Sequence, residues 1–466
     1  MSQKNETAIL IVALLLTGGL LAVGYFAFTQ WQSQTEADIR PSPSSPTARN
    51  DSRPRAISAG QQLLVASTTS PAKQEGIEAL AAGDYSRAVS ELEASLQQNR
   101  NDPEALIYLN NARIGAGQSH TIAVSVPITT AENAAQEILR GVAQAQNEVN
   151  QAGGINGVPL RVLIADDANN PNVAEQVAQS LVADDQVLGV VGHFASDVTV
   201  AASPVYQQGQ LVAISPTSTS MELSRAGNFI FRTVPSDRFT ANALAKYMVD
   251  NLNLNQAAIF YNENSSYSRS LKDEFTTALY GDGGAVVAEI NLAEGNFNSF
   301  DAVESVTQQG AEAIVLLANT ETVSQALQVV RVNARNLPVL GGDSLYRPEV
   351  LQVGGDSEGM VVAIPWHILS HTNSGFPEAA TQLWGGDINW RTTMAYDATK
   401  ALIAGISGDS SRQGVQRTLS EPGFSAKGGG ANIRFLPSGD RNQAAELVKV
   451  EQGRRSGLGY DFVPVP

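Results

Sequence analysis

The sequence contains no cysteine among its 466 residues. This absence excludes disulfides, thiol nucleophiles, cysteine metal sites and a lipid anchor attached to a cysteine. Basic residues are also scarce, because 30 Lys and Arg oppose 46 Asp and Glu and leave a net charge of −16. Nucleic-acid binding needs a basic surface, so this balance argues against a nucleic-acid partner. A phosphate-binding loop ending in Gly-Lys-Ser/Thr is also missing.

Charged side chains are absent from residues 8–28, which are mainly Leu, Ala, Gly, Val, Ile and Phe. About 20 such residues in a helix cross the hydrocarbon core of a membrane. Lys4 precedes the segment, whereas Glu36 and Asp38 follow it, which favours an orientation with the N-terminus inside. We therefore predict a membrane anchor over residues 1–31 that tethers the chain on the periplasmic or extracytoplasmic face. A cleaved signal peptide is the alternative.

Residues 32–70 are rich in Ser, Pro, Thr, Gln and Arg, a composition that predicts a flexible linker. Residues 71–116 then show small and apolar side chains at helical spacing. This segment resembles a tetratricopeptide repeat at Gly76, Gly83, Tyr85 and Ala88. A single repeat makes no solenoid, so the helical segment is either a packed spacer or a surface for a protein partner. Deleting residues 1–118 is expected to leave a folded protein.

From residue 119 onward, short apolar runs alternate with amphipathic helices. This pattern is typical of a parallel sheet covered on both faces. Strands are predicted at 121–128, 159–167, 188–194, 211–216, 257–261, 285–292, 311–318, 337–343 and 359–366, and a late hairpin at 432–440 and 445–452. Two successive sets of these units predict the fold class: two doubly wound α/β lobes with a cleft between them.

Ligands bind beyond the carboxyl ends of the strands in open parallel sheets. In the first lobe, this rule selects Ala195, Ser196 and Asp197 after the third strand and Thr217, Ser218 and Thr219 after the fourth. In the second lobe it selects Tyr267, Ala318, Asn319, Gly342 and Asp343. Hydroxyls and helix N-termini would therefore face a carboxylate and an aromatic ring, which suits a ligand with both carboxylate and ammonium. Taken singly, each Ser or Thr reads as an ordinary helix cap.

Residues 190–220, VVGHFASDVTVAASPVYQQGQLVAISPTSTS, resemble the leucine/isoleucine/valine-binding protein family, the type I periplasmic binding proteins of ABC transporters. The segments INGVPLRVLIADDANNP, FYNENSSYSRSL, VLGGDSLY and AYDATKAL are similar to further stretches of that family, in the same order. The resemblance covers residues 119–466 and implies two lobes joined by three crossovers and a hinge. It places lobe 1 at 119–238 and 367–428, and lobe 2 at 239–366 and 429–466.

The resemblance also implies roles for individual residues. Ser196 and Thr219 would hold an α-carboxylate through hydroxyl and N–H groups. The Thr217 carbonyl, the Thr219 hydroxyl and the Asp343 carboxylate would bind the ammonium, and Tyr267 would cover the ligand. An amino acid is the implied ligand, and an ABC permease and an ATPase are the implied partners, with no cofactor and no metal.

Two departures from the family leave the side-chain preference open. Thr217 and Asp343 stand where the family often has Ala and Glu, and Leu317 and Ala318 stand where an aromatic residue can line the pocket. A branched aliphatic, a small neutral or a polar amino acid therefore all remain candidates.

An enzyme and a ligand-sensing receptor are the two alternatives to solute delivery. His367 and His371 have a spacing found in some zinc sites, but the accompanying glutamate is missing. His193 ends a strand near the cleft, yet no Ser-His-Asp set can be assembled, so an enzyme is not predicted. A ligand-sensing receptor module reporting to a membrane partner is the more serious alternative, since one fold can serve both functions.

Overall fold

The computed structural model describes residues 57–465. The predicted anchor over residues 1–31 and the predicted linker up to residue 56 lie outside the described residues. Within residues 57–465, every helix is too short or too polar to qualify as a membrane span.

Three helices open the described chain where the sequence predicts a helical segment. They are α1 (Pro71–Ala81), α2 (Tyr85–Gln98) and α3 (Pro103–Ile114). Each begins at a polar cap, because Ser70, Asp84 and Asp102 accept hydrogen bonds from backbone N–H groups of the first turn. Helix α3 is buried along most of its length, so it lies between the other two helices and the rest of the protein.

The first sheet forms the core of the first lobe. Its strands are β1 (Ile57–Ser58), β2 (His120–Val126), β3 (Leu160–Asp166), β4 (Val187–Val191), β5 (Val212–Ser215) and β6 (Ile230–Arg232). Their spatial order is β1-β3-β2-β4-β5-β6, and only β1 runs antiparallel to its neighbour. The helices that connect these strands are α4 (Glu132–Gln151), α5 (Pro171–Ala183) and α6 (Ser196–Gln208).

The second sheet forms the core of the second lobe. Its strands are β7 (Gln256–Tyr261), β8 (Ala285–Asn291), β9 (Ala313–Leu317), β10 (Val339–Gly341), β11 (Val361–Ile364), β14 (Glu446–Gln452) and β15 (Tyr460–Pro464). Their order is β15-β14-β11-β10-β9-β7-β8. The helices of this lobe are α7 (Asp237–Lys246), α8 (Ser266–Gly281), α9 (Ser299–Gln308), α10 (Val323–Asn333) and α11 (Pro348–Gln352).

Helices from late in the chain return to the first lobe. They are α12 (Phe376–Trp384), α13 (Trp390–Gly408) and α14 (Arg412–Leu419). Helix α13 packs against α4 on one face of the first sheet, whereas α5 and α6 cover the other face. Both faces of the sheet are therefore buried, which explains its continuous apolar strands.

Two details of the predicted fold need correction. The sheets are mixed rather than purely parallel, because β1, β14 and β15 are antiparallel to their neighbours. The predicted late hairpin is also wrong: β14 pairs with β11 and β15, while the short strand β13 (Asn432–Ile433) pairs with β12 (Ala426–Lys427). Strand order in this region depends on which chain segment returns to the sheet, and local sequence carries no signal for that choice.

The helical segment is built into the first lobe through strand β3. The side-chain amide of Asn111 on α3 donates to the Val162 carbonyl at 2.7 Å and accepts from the Val162 N–H at 3.2 Å. Asn150 does the same for Leu160, at 3.0 and 2.7 Å, and β1 pairs with the residues that follow along β3. The predicted linker therefore ends before residue 57. Removal of residues 1–118 would uncover β3 and α4, and whether residues 119–466 fold without them stays a prediction.

A buried ion cluster holds the helical segment together. The Lys73 ammonium lies 2.7 Å from Thr68 Oγ1, 2.8 Å from Asp102 Oδ2 and 2.8 Å from Glu104 Oε2. Glu104 also accepts the Leu64 N–H at 2.7 Å. Burial raises the pKa of Glu104, and the Lys73 charge opposes that rise. Every charge in the cluster thus has an oppositely charged partner.

Candidate functional site

A cavity of about 340 Å³ lies between the two lobes, at the carboxyl ends of their strands. The sequence predicts a site at this position, and seven of the eleven residues selected by the strand-end rule line it. These seven are Ala195, Ser196, Asp197, Thr217, Tyr267, Asn319 and Asp343. The volume lies within the range of small-molecule sites.

The first lobe contributes hydroxyl groups and the N-terminus of α6. No described side chain caps this helix, so its first-turn N–H groups can bind an anionic group. The Ser196 hydroxyl accepts the Ser220 N–H at 3.3 Å, and the Thr217 hydroxyl donates to the Phe194 carbonyl at 2.7 Å. These bonds join the loop after β4 to the loop after β5, which fixes the wall in place.

The second lobe contributes a carboxyl group and a phenol. Asp343 follows β10 and is 6% exposed, and the Tyr267 hydroxyl donates to its Oδ1 at 2.9 Å. Burial raises the pKa of the Asp343 carboxyl, while the positive charge of Arg391 and the Tyr267 hydrogen bond oppose the rise. This wall therefore presents a desolvated acid to any ligand in the cavity.

Three of the other four predicted residues lie behind the cavity surface. Ser218 Oγ is 2.7 Å from Thr199 Oγ1, and the Ala318 carbonyl accepts a hydrogen bond from Ser344. Thr219 is buried, and its carbonyl accepts the Asp237 N–H at 2.9 Å. These contacts are made within the protein, so the three residues support the wall rather than line it. The fourth, Gly342, precedes Asp343 and is also absent from the lining.

Asp237 is a fully buried acid at the start of α7. Burial raises the pKa of its carboxyl to about 7, and the nearby Asp343 charge adds to the rise. The sequence gives no sign of this residue, because an Asp that opens a helix normally reads as an exposed favourable charge.

Sequence reasoning also missed a third wall, formed by the start of α13. Trp390 and Arg391 line the cavity together with Phe194. Helix α13 can approach α4 closely because residue 141 is glycine: a Cβ there would lie 2.1 Å from the Thr392 carbonyl oxygen. An arginine in the first turn of α13, where the helix dipole disfavours a cation, is the signal that could have identified this wall.

The guanidinium of Arg391 is held from two sides. Its Nη1 donates to Glu137 Oε2 at 3.0 Å, and its Cζ lies 4.5 Å from the Trp390 ring centre. Its Nε and the indole Nε1 of Trp390 are buried, and neither has a hydrogen-bond partner among residues 57–465. The wall therefore carries two donors that the described protein does not satisfy.

The two lobes are bonded to each other beside the cavity. Asp197 Oδ1, on the first lobe, accepts the Ser266 N–H of the second lobe at 2.8 Å. The Met221 N–H donates across the same boundary to Ser270 Oγ at 2.9 Å. The cavity is thus closed on this side by direct contacts between the lobes.

The histidines do not belong to the cavity. His193 is buried behind it, with Nδ1 2.7 Å from Asp167 Oδ2 and Nε2 3.0 Å from the Tyr206 hydroxyl. His367 and His371 lie in a loop rather than on one helix face, and His371 Nε2 is 2.5 Å from Glu446 Oε1. Across residues 57–465, no three metal-binding side chains come together.

A larger hollow of about 790 Å³ lies nearby, between Glu137, Arg140, Tyr346, Arg347 and Asp387. Arg455 and Asp387, which both line it, form an ion pair whose side chains are 48% and 42% exposed. Exposed pairs of this kind are typical of protein surface. We therefore assign the site to the smaller, more buried cavity.

Comparisons with known proteins match most of the chain from residue 119 onward. A family model described as periplasmic binding protein matches residues 119–455. An amino acid binding protein of Pseudomonas aeruginosa is 32% identical over 180 residues, which are 38% of this chain and 48% of that protein, about half its length. A Leu/Ile/Val-binding protein of Rhizobium johnstonii is 26% identical over 343 residues, or 72% of this chain and 92% of that protein.

The fold also has solved counterparts. A substrate-binding protein of an ABC transporter from Desulfitobacterium hafniense, in complex with Leu, superposes with a TM-score of 0.63 at 23% identity. The superposition covers 74% of this chain and 100% of that chain. All three of these proteins are described as binding proteins. The matched family region begins at residue 119, so the tetratricopeptide-like interpretation of residues 71–116 gains no support from it.

Proposed function

The chain belongs to the periplasmic binding protein family, and from that premise we propose that it binds an amino acid and delivers it to an ABC transporter. Family membership implies a working place outside the cytoplasm. The ligand occupies the cavity between the lobes, and the transporter's permease and ATPase are the proposed partners.

One observation carries the proposal: opposite groups face each other across a buried cavity. The uncapped N-terminus of α6, with the Ser196 hydroxyl, is suited to a carboxylate. The paired Tyr267 and Asp343 on the other lobe are suited to an ammonium. Charge-assisted hydrogen bonds to both ends of a zwitterion would join the lobes, which is how a hinged protein retains its ligand. Thr217 completes this grip from the cavity wall in the proposal, and Thr219 supports that wall from behind.

The first experiment measures the melting temperature of the purified full-length chain against each common amino acid. A ligand at 100 times its dissociation constant stabilises the folded state by about 2.7 kcal/mol, which gives a clear shift. We expect a shift with a subset of amino acids. Absence of a shift with all of them, at millimolar concentration, would contradict an amino-acid ligand.

One further part of the proposal concerns the start of the chain. Residues 8–28 are proposed to tether the protein to the membrane, on the strength of their uncharged composition. Recovery of the full-length chain in the soluble fraction of broken cells would contradict the tether.

A sensing role is the second candidate, because α1–α3 are fused to the first lobe outside the matched family region. Genes for a permease and an ATPase beside the coding gene would favour transport over sensing.

A further inference from the structure

The wall at the start of α13 has donors that await an acceptor. Trp390 and Arg391 are neighbours in sequence, and both residues line the cavity. Neither Trp390 Nε1 nor Arg391 Nε is hydrogen-bonded within the described chain. The side chains are 1% and 11% exposed, so bulk water does not readily replace a partner. Native proteins leave few buried donors unsatisfied, because each unmade bond is unfavourable. Two such donors on one wall of a binding cavity indicate an acceptor on the ligand.

The guanidinium is positioned to receive that acceptor. Its Nη1 is already used, with Glu137 Oε2 at 3.0 Å and Asn389 Oδ1 at 3.5 Å. The ring of Trp390 supports it at 4.5 Å and the ring of Phe194 at 6.0 Å, which restricts the side chain to one orientation. The edge that carries Nε is left for another partner. One edge of a guanidinium can donate two parallel hydrogen bonds to the two oxygens of a carboxylate. An acceptor with a single oxygen can take only one of them.

A free aliphatic amino acid would leave this wall unsatisfied. Its carboxylate is assigned to the α6 N-terminus and its ammonium to Asp343, and an apolar side chain would then bury a guanidinium edge without a partner. Arg391 and Asp343 both belong to the cavity lining, and the Arg391 charge acts on the Asp343 carboxyl. The cavity therefore presents three polar groups to a ligand rather than two: the N-terminus of α6, the Asp343 carboxyl and the Arg391 guanidinium.

We infer that Arg391, with Trp390, binds a second carboxylate on the ligand, so that the preferred ligand is an amino acid with an acidic side chain. This inference rests on the proposed function and narrows it. It also separates this chain from its relatives that are described as Leu/Ile/Val-binding proteins.

Calorimetric titration of the full-length chain tests the inference with L-glutamate, L-aspartate, L-glutamine and L-leucine. Glutamine has the shape of glutamate without its charge. We expect glutamate or aspartate to bind on the order of 100-fold more tightly than glutamine or leucine, as for a desolvated charge pair. Arg391→Met should remove that preference, because glutamate and aspartate lose the charged partner that glutamine and leucine do not use. Arg347→Met, at an arginine that lines only the larger hollow, is the matched control and should keep the preference.

The possible failures are distinguishable. Equal affinity of the wild-type chain for glutamate and glutamine overturns the inference, and so does an equal loss of all ligands in Arg391→Met, which would assign Arg391 to the α-carboxylate or to structure. If Arg391→Met does not fold, the wild-type comparison still decides, together with Trp390→Phe, which removes the indole donor and should weaken glutamate more than glutamine. If none of the four amino acids binds, the inference fails, whereas the proposed function fails only if no common amino acid shifts the melting temperature.

Discussion

Two regions of this protein bury charged side chains in opposite ways. In the helical segment, three oxygen-bearing side chains surround Lys73 at 2.7 to 3.0 Å. In the cleft, Arg391 Nε and Trp390 Nε1 have no hydrogen-bond partner among residues 57–465. A completed set of contacts serves stability, because the buried ammonium and the two carboxylates that share it are paired within the fold. An incomplete set of contacts in a cavity marks the place where another molecule supplies the missing partner.

The largest test of this contrast removes the centre of the completed cluster. Lys73→Met leaves Asp102 and Glu104 buried without their cation, and breaking a buried ion pair in this way destabilises by about 3–5 kcal/mol. We expect a loss of this size in the free energy of unfolding, measured by urea denaturation. Arg113→Met is the control, because the Arg113 and Glu93 side chains are 44% and 45% exposed, and little change is expected. Equal effects of both variants would contradict the distinction.

The second test removes a charge from the incomplete side. Asp343→Asn should weaken ligand binding by about 2–5 kcal/mol, because the ammonium loses its charged partner in a desolvated site. Calorimetric titration with the responding amino acid gives the change. Glu321→Gln, at an exposed acid on the cavity rim, should bind as the wild type does. The free energy of unfolding without ligand should not fall in Asp343→Asn; a clear fall would assign Asp343 to structure.

The test with the smallest expected effect concerns Asp237, a buried acid that belongs to neither the Lys73 cluster nor the cavity lining. Its pKa is raised by burial to about 7, so the folded state keeps a proton that the unfolded chain, in which an Asp has its ordinary pKa of 3.8, has released. Stability should therefore rise as pH falls between 7 and 4, by roughly 1.4 kcal/mol per pH unit from this group. Asp237→Asn removes the titration.

Urea denaturation between pH 6.5 and 5 measures that difference. We expect the wild type to gain on the variant over this interval, with the variant the more stable of the two at pH 8. Parallel pH profiles would show that Asp237 is solvated or paired in solution.

The alternation of elements could be predicted from sequence, and the way they join could not. The run TIAVSV and the helix over 132–151 carry their own periodicity, and the structure has β2 at His120–Val126 and α4 at Glu132–Gln151. Strand β1 has only two residues and follows a polar stretch, so no local pattern reveals it. The position of β14 beside β11 is a choice among strands distant in sequence, which local propensity does not encode.

The candidate site likewise has one part that could be predicted from sequence and one part that could not. Loops after parallel strands have a fixed place in the fold, so Ser196, Thr217 and Asp343 could be located by rule. Arg391 reaches the cavity only because a helix from late in the chain returns to the first lobe and passes Gly141 closely. Long-range packing of this kind leaves no spacing signal in the sequence. Which hydroxyls face inward, such as Ser218 and Thr219, depends on loop conformation in the same way.

The side-chain amides of Asn111 and Asn150, which are hydrogen-bonded to β3, have one more consequence. A strand at the border of a sheet offers unpaired N–H and C=O groups, and these can recruit a strand from another molecule. Asn150, Asn111 and β1 occupy those groups at Leu160, Val162 and Ile164 in turn, so each outward-facing peptide of β3 has a partner from within the same chain. Asn111 of the helical segment and β1 thus protect β3 from intermolecular β-pairing at Val162 and Ile164, whereas Asn150 of α4 protects it at Leu160.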